Sequence, residues 1–228
     1  MRNKRGFLLE SILLHMPNVA IIDYGMGNIL SVQRAFEYNG AKVTLITAPQ
    51  TLENFSHVVL PGVGAFPDAM LELSRQGFIP ILKNLAYTGK PLMGICLGMQ
   101  LLFEYSEEFN TTIGLGLIEG GVVAIPPITA EGKTRRIPHV GWRTLIPSDK
   151  RTNWENTPLV GLGDDPAMYF VHSYMAQPAD SIYRIADCNY DGILISAMVQ
   201  KGRIWGCQFH PEKSAGAGLE LIKRFLLL

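Results

Sequence analysis

The chain has 228 residues, 47% hydrophobic and 18% charged, with a mean hydropathy of +0.15, enough for one large core and too short for two ordinary domains. Twenty basic and twenty acidic residues cancel, so charge makes no case for nucleic acid or an anionic membrane. Cys96, Cys188 and Cys207 are odd in number, far apart and without a CxxC pair, which argues against a disulfide framework or zinc site and for a cytoplasmic chain with free thiols.

Residues 1–16 begin basic and turn apolar, as a signal peptide would. Glu10 and His15 interrupt the run, no small-residue cleavage site follows, and the run is too short to span a bilayer. Met16 is an alternative start. Residues 1–17 are therefore read as an extension or a mis-assigned start, and residues 18–228 as the domain.

Val19–Asp23 is an apolar run of strand type, followed by the glycine turn Tyr24-Gly25-Met26-Gly27-Asn28. Ile29–Tyr38 has helical periodicity and stops at Asn39-Gly40. Lys42–Ile46 and His57–Leu60 read as strands, the latter running into Pro61-Gly62-Val63-Gly64. Phe66–Arg75 and Phe78–Tyr87 read as helices. Pro91–Ile95 is a buried strand leading through Cys96 into a helix over Leu97–Tyr105. This alternation predicts βαβ units and a mostly parallel open sheet with flanking helices. Residues 126–166 are rich in Pro, Gly and polar residues and predict the longest loops. Gly121–Ile125, Met168–His172, Ile182–Ala186, Ile193–Gln200 and Ile204–Phe209 are strand-like, with turns at Gly192 and Lys201-Gly202. They predict an antiparallel extension of an α/β domain. An amphipathic helix over Gly218–Leu227 closes the chain.

Gly94-Ile95-Cys96-Leu97-Gly98 has the form G-x-C-x-G between a strand and a helix. This is the thiol version of a nucleophile elbow, whose tight turn needs small neighbours. The elbow seats the sulfur at a helix N-terminus, which favours thiolate, and aims the Leu97 N–H at an oxyanion position. The alternative is that Cys96 is a buried small hydrophobe. A thiol nucleophile needs a base and an orienting group. Gln208-Phe209-His210-Pro211-Glu212 offers both, because residues two apart in extended chain share a face. His172, inside an apolar run, is the rival base.

The segment Gly94 to Gln100, paired in this order with Gln208 to Glu212, resembles the triad (class I) glutamine amidotransferases, which have a flavodoxin-like fold. Ile22 to Asn28, Pro61 to Phe66, Pro138 to Trp142, Phe170 to Tyr174 and His210 to Ser214 are similar to the glutaminase subunits of imidazole glycerol phosphate synthase. The resemblance runs from about Val19 to the C-terminus. It implies that Cys96 attacks the glutamine amide, that His210 moves the proton, and that Glu212 orients His210. It implies no cofactor and no metal. It also implies that Gly64, Gln100, Ser173 and Tyr174 bind glutamine, and that Gly62–Val63 gives a second oxyanion N–H beside that of Leu97. The Gly62 peptide can flip, so this donor can await a partner's signal. The implied partner is a (β/α)8-barrel cyclase in a heterodimer, which uses the ammonia to form imidazole glycerol phosphate and an aminoimidazole carboxamide ribotide in histidine biosynthesis. Asn28, Trp142, Tyr169 to Tyr174 and Lys213 would lie near that interface.

Asn189 to Gly192 and the stretch Ser148–Asn156 with Trp154 look closer to paralogues that feed sugar amidotransferases in surface-polysaccharide synthesis. Other rivals are a catalytically silent regulatory subunit and a cysteine hydrolase or chaperone sharing the elbow. Nucleotide binding at Gly25-x-Gly27 fails its pattern, since Leu30 stands where the last glycine should be.

Overall fold

The computed structural model describes residues 16–148, 151, 153–163 and 165–228. The N-terminal question therefore lies almost wholly outside the described residues, and Ser148–Asn156 falls partly outside them. Strands β1 (Asn18–Ile22), β2 (Lys42–Ile46), β3 (His57–Gly62) and β4 (Leu92–Cys96) form the parallel half of an eight-stranded sheet. Its order is β2-β1-β3-β4-β14-β13-β12-β9. β14 (Ile204–Cys207) is parallel to β4, whereas β13 (Ile193–Lys201), β12 (Arg184–Tyr190) and β9 (Ile146–Pro147) pair antiparallel beyond it. The mostly parallel α/β sheet with an antiparallel extension is as expected.

Alternation in the strands divides the core into two layers. Val19, Ile21, Val59, Met93 and Ile95 pack on one face, against α1 (Ile29–Tyr38) and α5 (Ala215–Phe225). Ala20, Ile22, Val58, Leu60 and Leu92 pack on the other, against α2 (Phe66–Arg75), α3 (Phe78–Tyr87) and α4 (Leu97–Leu101). The helices obey their own period: α1 buries Val32, Ala35 and Phe36, and α5 buries Leu221, Ile222 and Phe225.

Four expectations need correction. The helix after Cys96 stops at Leu101, and β5 (Phe103–Ser106) follows, because Phe103 and Tyr105 pair with β7 (Ile118–Ala124). Strand pairing here overrides a local apolar run that suits either state. The 126–166 region holds β8 (His139–Thr144) and β9 rather than loops alone. β8 pairs antiparallel with β10 (Ala167–His172) as a separate two-stranded ribbon. β11 (Tyr174–Pro178), not predicted, joins β7, β5 and β6 (Thr112–Ile113) in a third sheet. The strand expected at Ile182–Ala186 begins as a single turn of 3-10 helix and runs as β12 to Tyr190. Asp191-Gly192 does turn the chain between β12 and β13, both residues having positive φ. Among the described residues no helix is long and apolar enough to cross a membrane.

Register places the motifs. Gly62 on β3 pairs with Cys96 on β4, and Ile95 pairs with Cys207 on β14. The Pro61-Gly62-Val63-Gly64 turn, the elbow and the segment through His210 therefore leave adjacent strands at their C-terminal ends. Open parallel sheets place their sites there.

Candidate active site

Cys96 sits at φ 55°, ψ −111°, outside the ordinary regions for a side-chain-bearing residue. The elbow glycines explain how the turn closes. A Cβ on Gly98 would lie 1.8 Å from the Leu60 carbonyl oxygen, and one on Gly94 would lie 2.5 Å from the Gly98 carbonyl oxygen. Helix α4 thus rests directly on β3 and β4. Leu97 is the first residue of that helix, where backbone N–H groups lack intrahelical acceptors.

His210 and Glu212 meet as expected, but by another route. His210 is extended, and Pro211–Lys213 forms one turn of 3-10 helix. The turn, not strand alternation, brings Glu212 Oε1 to 2.8 Å from His210 Nδ1. The Ser214 hydroxyl braces the turn by donating to the His210 carbonyl at 2.6 Å and accepting from the Tyr169 N–H at 3.0 Å. Bound to the carboxylate, Nδ1 carries the proton, which leaves Nε2 free for exchange in neutral His210. Nε2 has no hydrogen bond of ordinary length and faces the Cys96 thiol. Burial opposes the imidazolium, but interactions with Cys96 and Glu212 outweigh it and push the His210 pKa up to about 9.

His172, the rival base, has both nitrogens engaged. Nδ1 lies 2.8 Å from the Tyr174 carbonyl oxygen and Nε2 lies 2.9 Å from His139 Nδ1. Neither meets a carboxylate.

A cavity of about 300 Å³ opens over Cys96 and His210. Its lining includes Val63, Gly64, Leu97, Gln100, Ser173 and Tyr174, each named from the sequence for the oxyanion hole or the glutamine site. Gly64 needs its positive φ of 103°. Gln100 Nε2 donates to the Tyr174 carbonyl at 3.1 Å and to Gln208 Oε1 at 3.0 Å. The Val63 N–H, expected to complete an oxyanion hole, instead donates to the Met26 carbonyl at 3.2 Å. In this conformation that donor is engaged away from the cavity. Gly62 is pressed from behind: a Cβ there would lie 2.6 Å from the Tyr24 hydroxyl.

One cavity-lining group, Glu108, and one buried group beside the sulfur, Gln208, had no role assigned from the sequence. Glu108 borders the cavity and accepts from the Phe66 N–H at 2.7 Å. Burial pushes its carboxyl up, partly countered by that bond. It follows β5, three residues beyond the helix expected to end at Tyr105, so nothing local pointed it inward. Gln208, fully buried, donates from Nε2 to Cys96 Sγ at 3.9 Å.

Of the residues expected near a partner, Asn28 lines a narrow gap beside Gly62, Val63, His210 and Glu212. Trp142 is 48% exposed and packs edge-on against Tyr169, 6.1 Å between ring centres. Lys213 is exposed at the end of the Pro211–Lys213 turn. Among the described residues no three His, Cys, Asp or Glu side chains gather to hold a metal ion.

Residues 20–228 match the family described as Glutamine amidotransferase class-I. A Legionella pneumophila (strain Lens) protein named imidazole glycerol phosphate synthase subunit HisH 1 is 46% identical over 211 residues, covering 92% of this chain and 99% of that protein. An Aromatoleum aromaticum protein, imidazole glycerol phosphate synthase subunit HisH, is 42% identical over 216 residues, covering 92% and 98%. Among solved structures, the PurLQS structure from Thermotoga maritima superposes with a TM-score of 0.71 at 20% identity, covering 93% of this chain and 98% of that one. A glutamine amidotransferase crystal structure gives 0.68 at 18% identity, covering 92% and 96%.

Proposed function

The chain belongs to the class-I glutamine amidotransferase family, and on that premise we propose that it is the glutaminase subunit of an imidazole glycerol phosphate synthase, with Cys96, His210 and Glu212 as its triad. It hydrolyses glutamine to glutamate and ammonia and supplies the ammonia to histidine biosynthesis. The observation that carries the catalytic reading is the strained Cys96 elbow facing a histidine whose other nitrogen is held 2.8 Å from Glu212.

The Cys96 thiolate attacks the glutamine side-chain carbonyl carbon. The tetrahedral oxyanion takes a hydrogen bond from the Leu97 N–H, and from the Val63 N–H once that peptide turns away from Met26. His210 passes the thiol proton to the departing nitrogen, the C–N bond breaks, and ammonia leaves a thioester on Cys96. His210 then takes a proton from water, which attacks the thioester. The collapse releases glutamate and returns the proton to sulfur. Glu212 keeps the imidazole in the Nδ1–H tautomer throughout. Glu108 suits the substrate ammonium, and the Ser173–Tyr174 backbone suits its carboxylate, which would fix the amide over sulfur.

The function implies a partner subunit. We assign that partner as a (β/α)8-barrel cyclase, seated near Asn28, Trp142 and Lys213 and forming imidazole glycerol phosphate and the carboxamide ribotide. The relatives' names do not favour the surface-polysaccharide alternative, and a filled triad does not favour a silent regulatory subunit.

The test is glutamate release by the purified chain alone and with the cyclase and its acceptor nucleotide. One missing oxyanion donor costs about 10²–10³ in kcat, so the chain alone should be slower by that order and rise when the complex forms. No response to the cyclase, with activation by a sugar amidotransferase instead, would move the chain to the other pathway.

A further inference from the structure

We propose that His139 and His172 form a directed hydrogen-bond relay that holds the Tyr174 wall of the glutamine cavity, making both positioning residues for the hydrolysis; this rests on the glutaminase reading above.

The two histidines are direct cross-strand partners at the end of the β8–β10 ribbon. Both are buried, His139 at 0% exposure and His172 at 6%. The polarity of the relay follows from its terminus. The Tyr174 carbonyl can only accept, so His172 Nδ1 carries the proton in that 2.8 Å contact. Buried and neutral, His172 then presents a bare Nε2. The 2.9 Å contact to it requires a proton on His139 Nδ1. Burial holds both rings neutral, with His139 at about 3 and His172 at about 4. His139 is fixed in orientation by stacking on Phe170 and Tyr190, at 5.0 and 4.0 Å between ring centres.

The same carbonyl oxygen also accepts from Gln100 Nε2 at 3.1 Å. Its two lone pairs are thereby filled from opposite sides, by the ribbon and by the elbow helix. Gln100 continues to Gln208 Oε1 at 3.0 Å, and Gln208 reaches Cys96 Sγ at 3.9 Å. A continuous polar path therefore fixes the Tyr174 peptide plane relative to the nucleophile. Neither histidine contacts the triad carboxylate, so their effect belongs in substrate binding rather than proton transfer.

Isosteres separate this relay from simple packing. An Asn amide nitrogen lies near the Nδ1 position of histidine, and a Gln amide lies near Nε2. With the full chain, His139→Leu and His139→Gln should each raise KM for glutamine about tenfold while kcat moves less than about threefold, the scale of one buried hydrogen bond. His139→Asn should rescue most of that loss. An unchanged KM in His139→Leu, equal impairment in Asn and Gln variants, or a fall in kcat alone would overturn the relay. Should the variants not fold, nitrogen-15 NMR of the wild-type imidazoles decides: both rings should be Nδ1–H tautomers, and an Nε2–H tautomer on either overturns the proposal. If wild-type chain neither hydrolyses glutamine nor is alkylated at Cys96 by a glutamine-like diazo ketone, the glutaminase reading has failed, and with it the positioning role. An active wild type whose variants match it defeats the relay alone.

Discussion

Replacing Gly98 with alanine tests how tightly the elbow is built. The new Cβ would lie 1.8 Å from the Leu60 carbonyl oxygen, whereas ordinary contacts begin at 3.4 Å. The opposing atoms are backbone of β3, in the middle of a parallel sheet, and cannot swing aside. Helix α4 must therefore move away by about 1.6 Å, the difference between those two distances. Such overpacking costs about 1–3 kcal/mol of stability. Displacement of about 1 Å at a reacting group costs on the order of 10²-fold in rate, and Cys96 and Leu97 both ride on this turn. Gly98→Ala should therefore fold with reduced stability and lose at least about 10²-fold in kcat, read by glutamate release and urea melts. Gly216→Ala is the control. No atom lies within 4 Å of its added Cβ, and it sits in helix α5. It should retain activity and gain about 0.5–1 kcal/mol. A Gly98→Ala chain with kcat within threefold of wild type and unchanged stability would refute this account of the elbow.

Glu212→Gln keeps the shape of the 2.8 Å contact but removes its charge, and should lower kcat by about 10⁴-fold. The kcat/KM profile should fall as pH rises through about 9, because His210 then loses the proton that departing ammonia needs. Glu212 raises that pKa, so residual activity in Glu212→Gln should fall away at lower pH. A limb that stays in place would remove Glu212 from the assignment. Glu108→Gln should raise KM about tenfold or more with kcat little changed, the scale of one charge-assisted hydrogen bond; an unchanged KM would mean the substrate ammonium binds elsewhere.

The parallel half of the fold was legible because each strand is short, apolar and punctuated by glycine, and because each helix shows its own period. The elbow was legible for a similar reason: Gly94 and Gly98 are demanded by backbone contacts that no other residue tolerates. Three things were not legible. β8 and β11 draw their stability from pairing rather than from strong alternation, and Gly141 in β8, with φ 133°, reads as a loop residue. Glu108 joins the cavity because β5 turns back where local apolarity suggested a longer helix. The engagement of the Val63 N–H depends on the Met26 carbonyl, 37 residues earlier, and backbone direction has no signature in residue type. The His210–Glu212 spacing suggested the right contact for the wrong geometric reason.

In the proposed reaction Cys96 generates ammonia from glutamine and takes no part in its later use. The most direct measurement is product formation by the complex carrying Cys96→Ala, supplied in parallel with glutamine and with ammonium. Glutamine-dependent synthesis and glutamate release should disappear while ammonium-dependent synthesis continues at the wild-type rate. Glutamate release persisting in that variant would show that another group performs the hydrolysis, and would overturn Cys96 as the nucleophile.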